Sequence, residues 1–120
     1  MPLADDLAKL KRCHLAVGTP GRLKQLIDEG HLKAKAVKLL VLDEADKLME
    51  GSFVNEVTGI FNQLPVSKQM LSLSATYPEE MLQQLFRYMK NPQLIRLAKT
   101  DQVLQGVKQF VMKVSVLFYK

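Results

Sequence analysis

Residues 37–42, VKLLVL, make a nearly unbroken apolar run that stops at two adjacent carboxylates, Asp43 and Glu44. A strand with one wet face alternates apolar and polar residues, whereas a run like this suits a parallel strand covered on both faces. It therefore predicts a central strand of a parallel sheet. Parallel neighbours cannot be joined by a tight hairpin and need a long crossover, usually a helix.

The rest of the chain supplies such crossovers. Residues 13–17, CHLAV, read as a buried strand. Thr19 can cap a helix with Pro20 at its first position, running to about Glu29 and stopped by Gly30. A short helix over residues 46–49 ends at Gly51, and Ser52 caps the next, in which Phe53, Val57, Ile60, Phe61 and Leu64 recur at helical spacing before Pro65. Residues 69–73, QMLSL, read as a third strand. Pro78 opens a helix with Glu79 and Glu80 in its first turn and Leu82, Leu85, Phe86 and Met89 as its buried stripe; Asn91-Pro92 stops it. Residues 93–97 read as a fourth strand, residues 98–106 as a polar connector, and residues 107–119 as an alternating strand through Phe110, Met112, Val114, Val116 and Phe118. Strands alternating with helices argue for βαβ units and an α/β fold.

With 120 residues and 48% apolar side chains, the chain is sized for one compact domain. No apolar run is long enough to span a bilayer, and no secretory leader pattern opens the sequence. The lone Cys13 rules out an internal disulfide and suits a reducing, intracellular compartment, cytoplasm or nucleus. A net charge of +5 would help a surface meet a phosphate backbone, yet equally fits scattered solvated lysines. Cys13 and His14 are adjacent and lack the spacing of a metal site, which favours a buried thiol beside a rim histidine. His31 has no assigned role, and the six methionines read as core.

Ligands of open α/β sheets bind outside the carboxyl ends of the strands. Three polar clusters fall there: Thr19-Pro20-Gly21-Arg22, Asp43-Glu44-Ala45-Asp46, and Ser74-Ala75-Thr76. A strand ending in Asp43-Glu44 suits magnesium-dependent phosphoryl chemistry, one carboxylate for the ion and the next for the attacking water. Taken singly, each cluster has a plainer reading as a helix cap or an acid on a helix dipole.

Together and in this order, the clusters resemble the TPGR, DEAD and SAT motifs of the DEAD-box RNA helicases of superfamily two. Val17-Gly18, Val41-Leu42, Lys68-Gln69-Met70 and Pro78 match the flanks, so the likeness covers nearly the whole chain. The resemblance implies a partial RecA-like domain of P-loop NTPase type, three-layered, with a parallel sheet that lacks the phosphate-loop strand. Residues 1–97 would be the C-terminal part of the first lobe, 98–106 the inter-lobe linker, and 107–120 the truncated first strand of a second lobe. It implies ATP and Mg²⁺ in the complete protein: Asp43 reaches the metal through water, and Glu44 serves the hydrolytic water as the catalytic residue. Asp46 would couple to the Ser74 and Thr76 hydroxyls, and Thr19, Pro20, Gly21 and Arg22 would touch the RNA backbone. A finer likeness, in Lys11-Arg12-Cys13-His14, Gly51-Ser52-Phe53 and residues 74–78, is to the branch that serves the survival-of-motor-neuron complex in ribonucleoprotein assembly. Proteins of that complex are then implied as partners, and a membrane is not.

No Gly-x-x-x-x-Gly-Lys-Ser/Thr motif occurs in these residues, so no phosphate loop is present. The arginine finger that the family places in its second lobe is worth about 10³ to 10⁵ in rate. The chain alone is therefore expected to hydrolyse no ATP. It is also expected to show an open sheet edge, with marginal stability or self-association. Two other readings compete: a truncated isoform that binds RNA or protein without catalysis, and an aspartate-based phosphatase or phosphoreceiver. The latter class of phosphatase wants Asp-x-Asp-x-Thr, where this chain has Asp-Glu-Ala-Asp-Lys at residues 43–47.

Overall fold

A computed structural model describes residues 3–11, 13–96, 108 and 110–113. In chain order the elements are α1 (Leu3–Leu10), α2 (Pro20–Asp28), a 3-10 turn (Ala34–Ala36), β1 (Leu39–Leu42), α3 (Ala45–Leu48), α4 (Phe53–Gln63), β2 (Gln69–Ser72) and α5 (Glu79–Tyr88). β1 and β2 pair in parallel, Leu39 against Gln69 through Leu42 against Ser72. The crossover between them is α3 followed by α4, so the expected βαβ unit and α/β class are present.

Alternation along the strands decides where the core lies. Leu40 and Leu42 of β1 and Met70 of β2 share one face, and the helices pack there. Leu42, Ala45, Met49, Val57, Met81 and Leu85 form one buried cluster, and Ile27, Ala34, Ile60 and Leu64 a second, with Leu40 touching both. α2 lies beside α4 and runs the same way: Lys24 crosses Gly59, while Gln63 Nε2 donates to Asp28 Oδ1 at 2.7 Å. A Cβ on Gly59 would sit 2.6 Å from Lys24 Cε, so the bare glycine is what admits the lysine stem.

The second face of the sheet is bare. Leu39, Val41, Leu71 and Leu73 are each 45 to 50% exposed, against 5% for Leu42. The described residues build the sheet and one helical layer, so the expectation that β1 would be covered on both faces is corrected. β1 is also shorter than the apolar run, because the Val37 N–H donates to Ala34 O in the 3-10 turn and leaves the ladder.

Residues 13–17 are not a strand, and Leu15 and Val17 project into solvent. A β-prone run needs a paired neighbour and a covered face, and no described residue supplies either. Cys13 is exposed for the same reason, so the buried thiol is corrected as well. Residues 93–96 likewise form no strand, with Leu94 and Ile95 exposed, and Leu97 lies outside the described residues. Of the expected connector and final strand, residues 98–107, 109 and 114–120 lie outside them too; Phe110, Val111 and Met112 are exposed and unpaired.

Smaller differences follow from packing. Thr19 and Ser52 occupy N-cap positions, but neither side chain makes a capping hydrogen bond. Phe86 is exposed, whereas Met81 takes its expected place in the buried stripe of α5. Met112 lies outside the core that Met49 and Met81 share. α1 was not expected; Asp5 and Asp6 in its first turn and Lys9 in its last complement the helix dipole. No helix among the described residues is long and apolar enough to cross a membrane.

Candidate functional site

Because β1 and β2 are parallel and in register, they finish side by side, and the loops that follow them meet. Leu73 N–H donates to Leu42 O at 2.8 Å, extending the ladder by one step, and Ala45 N–H then reaches across to Leu73 O at 3.0 Å. This second bond pulls the chain out of the strand and straight into α3. The reversal is abrupt enough to put Glu44 in the left-handed region, at φ 52° and ψ 50°. Asn91, the other non-glycine at positive φ among the described residues, is of a type that tolerates it; glutamate is not. Backbone strain of this kind persists where the surroundings over-determine it, commonly at functional sites.

Asp43 and Glu44 are exposed. One oxygen of Asp43, Oδ1, accepts the Glu44 N–H at 3.0 Å, and no described residue occupies the other. Glu44 Oε2 lies 2.8 Å from Lys47 Nζ, and this carboxylate raises the pKa of the lysine. Sequence reasoning passed over Lys47, although a glutamate three residues before a lysine on a helical turn is a recognised pairing signal.

Asp46 joins the two loops. Its Oδ2 accepts from Thr76 Oγ1 at 2.9 Å, its own backbone N–H donates to Ser74 Oγ at 3.3 Å, and Oδ1 accepts the Lys47 N–H at 3.0 Å. The Thr76 hydrogen bond is the chief cause that holds the Asp46 carboxyl below its ordinary pKa; partial burial opposes it and Ser74 assists. The hydroxyl loop is fastened from below as well, where Tyr77 Oη donates to Ser72 O at 2.9 Å.

Thr19, Pro20, Gly21 and Arg22 form the start of α2. Since α2 and α4 run the same way, and α4 starts beyond the end of β1, this segment lies at the end of the domain where both strands finish. It touches neither loop among the hydrogen bonds and ion pairs of the described residues. Arg22 is held instead by Asp6 of α1, 3.5 Å from its Nε, and by Gln25, whose Oε1 accepts from Nη1 at 2.9 Å. Neither Asp6 nor Gln25 was picked out from sequence.

Among the described residues no three His, Cys, Asp or Glu side chains converge as a metal cage. The donor set on offer is the unoccupied oxygen of Asp43. That suits magnesium, which takes one or two carboxylates and fills its remaining positions with water and substrate phosphate.

Residues 1–85 match the family model described as DEAD/DEAH box helicase. The chain is 50% identical over 115 residues to a probable ATP-dependent RNA helicase, DDX20, of Mus musculus, covering 95% of this chain and 14% of that protein. Against the ATP-dependent RNA helicase eIF4A of Candida albicans it is 35% identical over 119 residues, covering 98% of this chain and 30% of the relative. The crystal structure of a DEAD box protein from Methanococcus jannaschii superposes with a TM-score of 0.71 at 36% identity, over 76% of this chain and 25% of that one. The chain thus spans less than a third of each of these proteins.

Proposed function

The chain belongs to the DEAD/DEAH box helicase family, and on that footing we propose that it is the part of an ATP-dependent RNA helicase that links nucleotide chemistry to a grip on RNA. One observation carries the reading: Asp46, Ser74 and Thr76 tie the acidic loop to the hydroxyl loop at the ends of adjacent parallel strands. A displacement of either loop is then felt by the other.

In this reading Asp43 would hold Mg²⁺ through water, and the ion would supply charge neutralisation on the transferred phosphoryl group. Glu44 orients the attacking water and accepts its proton; Lys47 engages one of its carboxylate oxygens and leaves the second for that task. Asp46 positions the loop through Ser74 and Thr76. Thr19, Pro20, Gly21 and Arg22 bind the sugar-phosphate backbone, a contact that places the RNA without reading its bases. To do so Arg22 exchanges the Asp6 carboxylate for a phosphate group, which a guanidinium can grip with two parallel N–H bonds.

Residues 1–97 belong in this account to the first motor lobe, residues 98–106 to the linker and 107–120 to the start of the second lobe. With no phosphate-loop motif in the 120 residues, the triphosphate lacks its cradle, and this chain alone hydrolyses no ATP. The working compartment is intracellular. Its partners are RNA and, from the likeness at residues 11–14, 51–53 and 74–78, proteins of the survival-of-motor-neuron assembly; Arg12 within that likeness lies outside the described residues.

The test uses the full-length protein that carries this segment. Glu44→Gln should lower RNA-stimulated ATP hydrolysis by about 10²- to 10⁴-fold, the range for loss of a general base, with RNA binding retained. Hydrolysis at the parent rate would sink the assignment. In fluorescence titration with short single-stranded RNA, Arg22→Ala should weaken binding equally for different base sequences.

A further inference from the structure

The two ends of the domain differ in charge. α3, α4 and α5 all begin beyond the ends of β1 and β2, and their first turns carry Asp46, Glu56, Glu79 and Glu80. Lysines collect at the other end: Lys33 and Lys35 around the 3-10 turn, Lys38 leading into β1, Lys68 leading into β2, and Lys90 beyond α5. Their proximity is direct. Gln69 N–H donates to Lys38 O at 2.8 Å, which puts the two strand entries side by side. Lys68 Nζ lies 3.6 Å from the centre of the Phe61 ring, and Phe61 meets Tyr88 at the end of α5 at 4.8 Å. Burial, and then the charge of Lys90, lower the Lys68 pKa.

Helix dipoles account for part of this. Cations beside the C-terminal ends of α4 and α5 are favourable, but Lys35 and Lys38 cap no α-helix. The carboxylates at the end of α2, Asp28 and Glu29, are engaged elsewhere, the first by Lys24 and Gln63 and the second by Gln25 and His31. Among the described residues no carboxylate pairs with any of the five lysines. Beside two of them lies a depression of about 590 Å³, lined by Lys35, Ala36, Val37, Lys38, Pro65 and Ser67. Val66 stands 81% exposed beside it.

We propose that this lysine-rich end is a docking surface for an acidic protein segment that carries an apolar side chain. Ammonium groups that meet no carboxylate among the described residues fit carboxylates of a partner, and Ala36, Val37, Pro65 and Val66 offer an apolar seat beside Lys35 and Lys38. A nucleic acid fits less well. The Phe61 face is covered by Lys68, the Tyr88 hydroxyl is bound to Thr58 at 2.7 Å, and neither an aromatic ring nor an arginine is among the residues that line the depression. The surface lies at the far end from the acidic loop, so it stands or falls independently of the helicase chemistry.

The experiment is fluorescence anisotropy on the full chain. The probes are a labelled glutamate-rich peptide with one central leucine, the same peptide with glutamine for every glutamate, and a labelled oligouridylate. The acidic peptide should bind, weaken as salt rises, and lose at least about tenfold in affinity in the Lys35→Glu/Lys38→Glu double variant. The charge-matched control Lys9→Glu, on α1, should stay within about twofold of the parent. Equal binding of the glutamine peptide would overturn the proposal. So would retained affinity in the double variant, or a loss in that variant confined to the oligouridylate. Circular dichroism confirms that each variant is folded, and Lys35→Gln/Lys38→Gln serves in place of the charge reversal if that variant is not.

Discussion

The two faces of the same short sheet have opposite fates. Leu40, Leu42 and Met70 lie under α2, α4 and α5, while Leu39, Val41, Leu71 and Leu73, of the same chemical type and on the same strands, stay half in water. Hydrophobicity put all seven in the sheet; which were buried depended on what else the chain had to lay over them. The covered face fixes the position of the acidic loop, since Leu42 and Ala45, on either side of Asp43 and Glu44, are both core residues. The bare face fixes nothing yet.

That contrast sets an order of expected effects. Leu85→Ala on the covered side removes a side chain 2% exposed and should cost about 2–5 kcal/mol, read from the urea midpoint by circular dichroism. A loss comparable to that of a surface change would mean that the core is looser than its burial indicates. Gly51→Ala, at φ +60° in the turn that launches α4 across the covered face, should cost about 1–2 kcal/mol in the same assay. A still smaller change is expected for Leu71→Ser on the bare face, within about 0.5 kcal/mol. A large loss there would show that the face is covered in solution, and concentration-dependent sedimentation would then reveal self-association.

The last effect is a change of pH dependence at the edge of the covered face. Asp46 has its pKa depressed in the folded chain, chiefly by Thr76, so its contribution to stability is complete above the ordinary value of 3.8 and is lost as pH falls through the lower folded value. Thr76→Val should raise the Asp46 pKa toward 3.8, visible in an NMR titration of the carboxyl carbon, and flatten the acid limb of the stability curve. An unchanged titration would mean that other contacts hold the carboxyl down.

Much of this was legible in the sequence because its signals are local. The apolar run before Asp43, the spacing of Val57, Ile60 and Leu64, and proline at the head of α2 each fix an element through its own neighbours. The likeness of residues 19–22, 43–46 and 74–76 to family motifs placed the clusters at one end of the fold. What could not be read was relational. Residues 13–17 and 93–96 have strand composition, but a ladder needs a partner, which composition does not report. The hold of Asp6 on Arg22 joins residues 16 apart in sequence, and nothing in either local pattern anticipates it.

The left-handed backbone at Glu44 has a consequence for how position 44 can vary. Glycine or asparagine would adopt that conformation at lower cost, so swaps that discard the carboxylate should make the chain easier to fold. A screen for robustness and a screen for activity would therefore pull this site toward different amino acids. The turn is one that thermostability engineering, followed blindly, would silence.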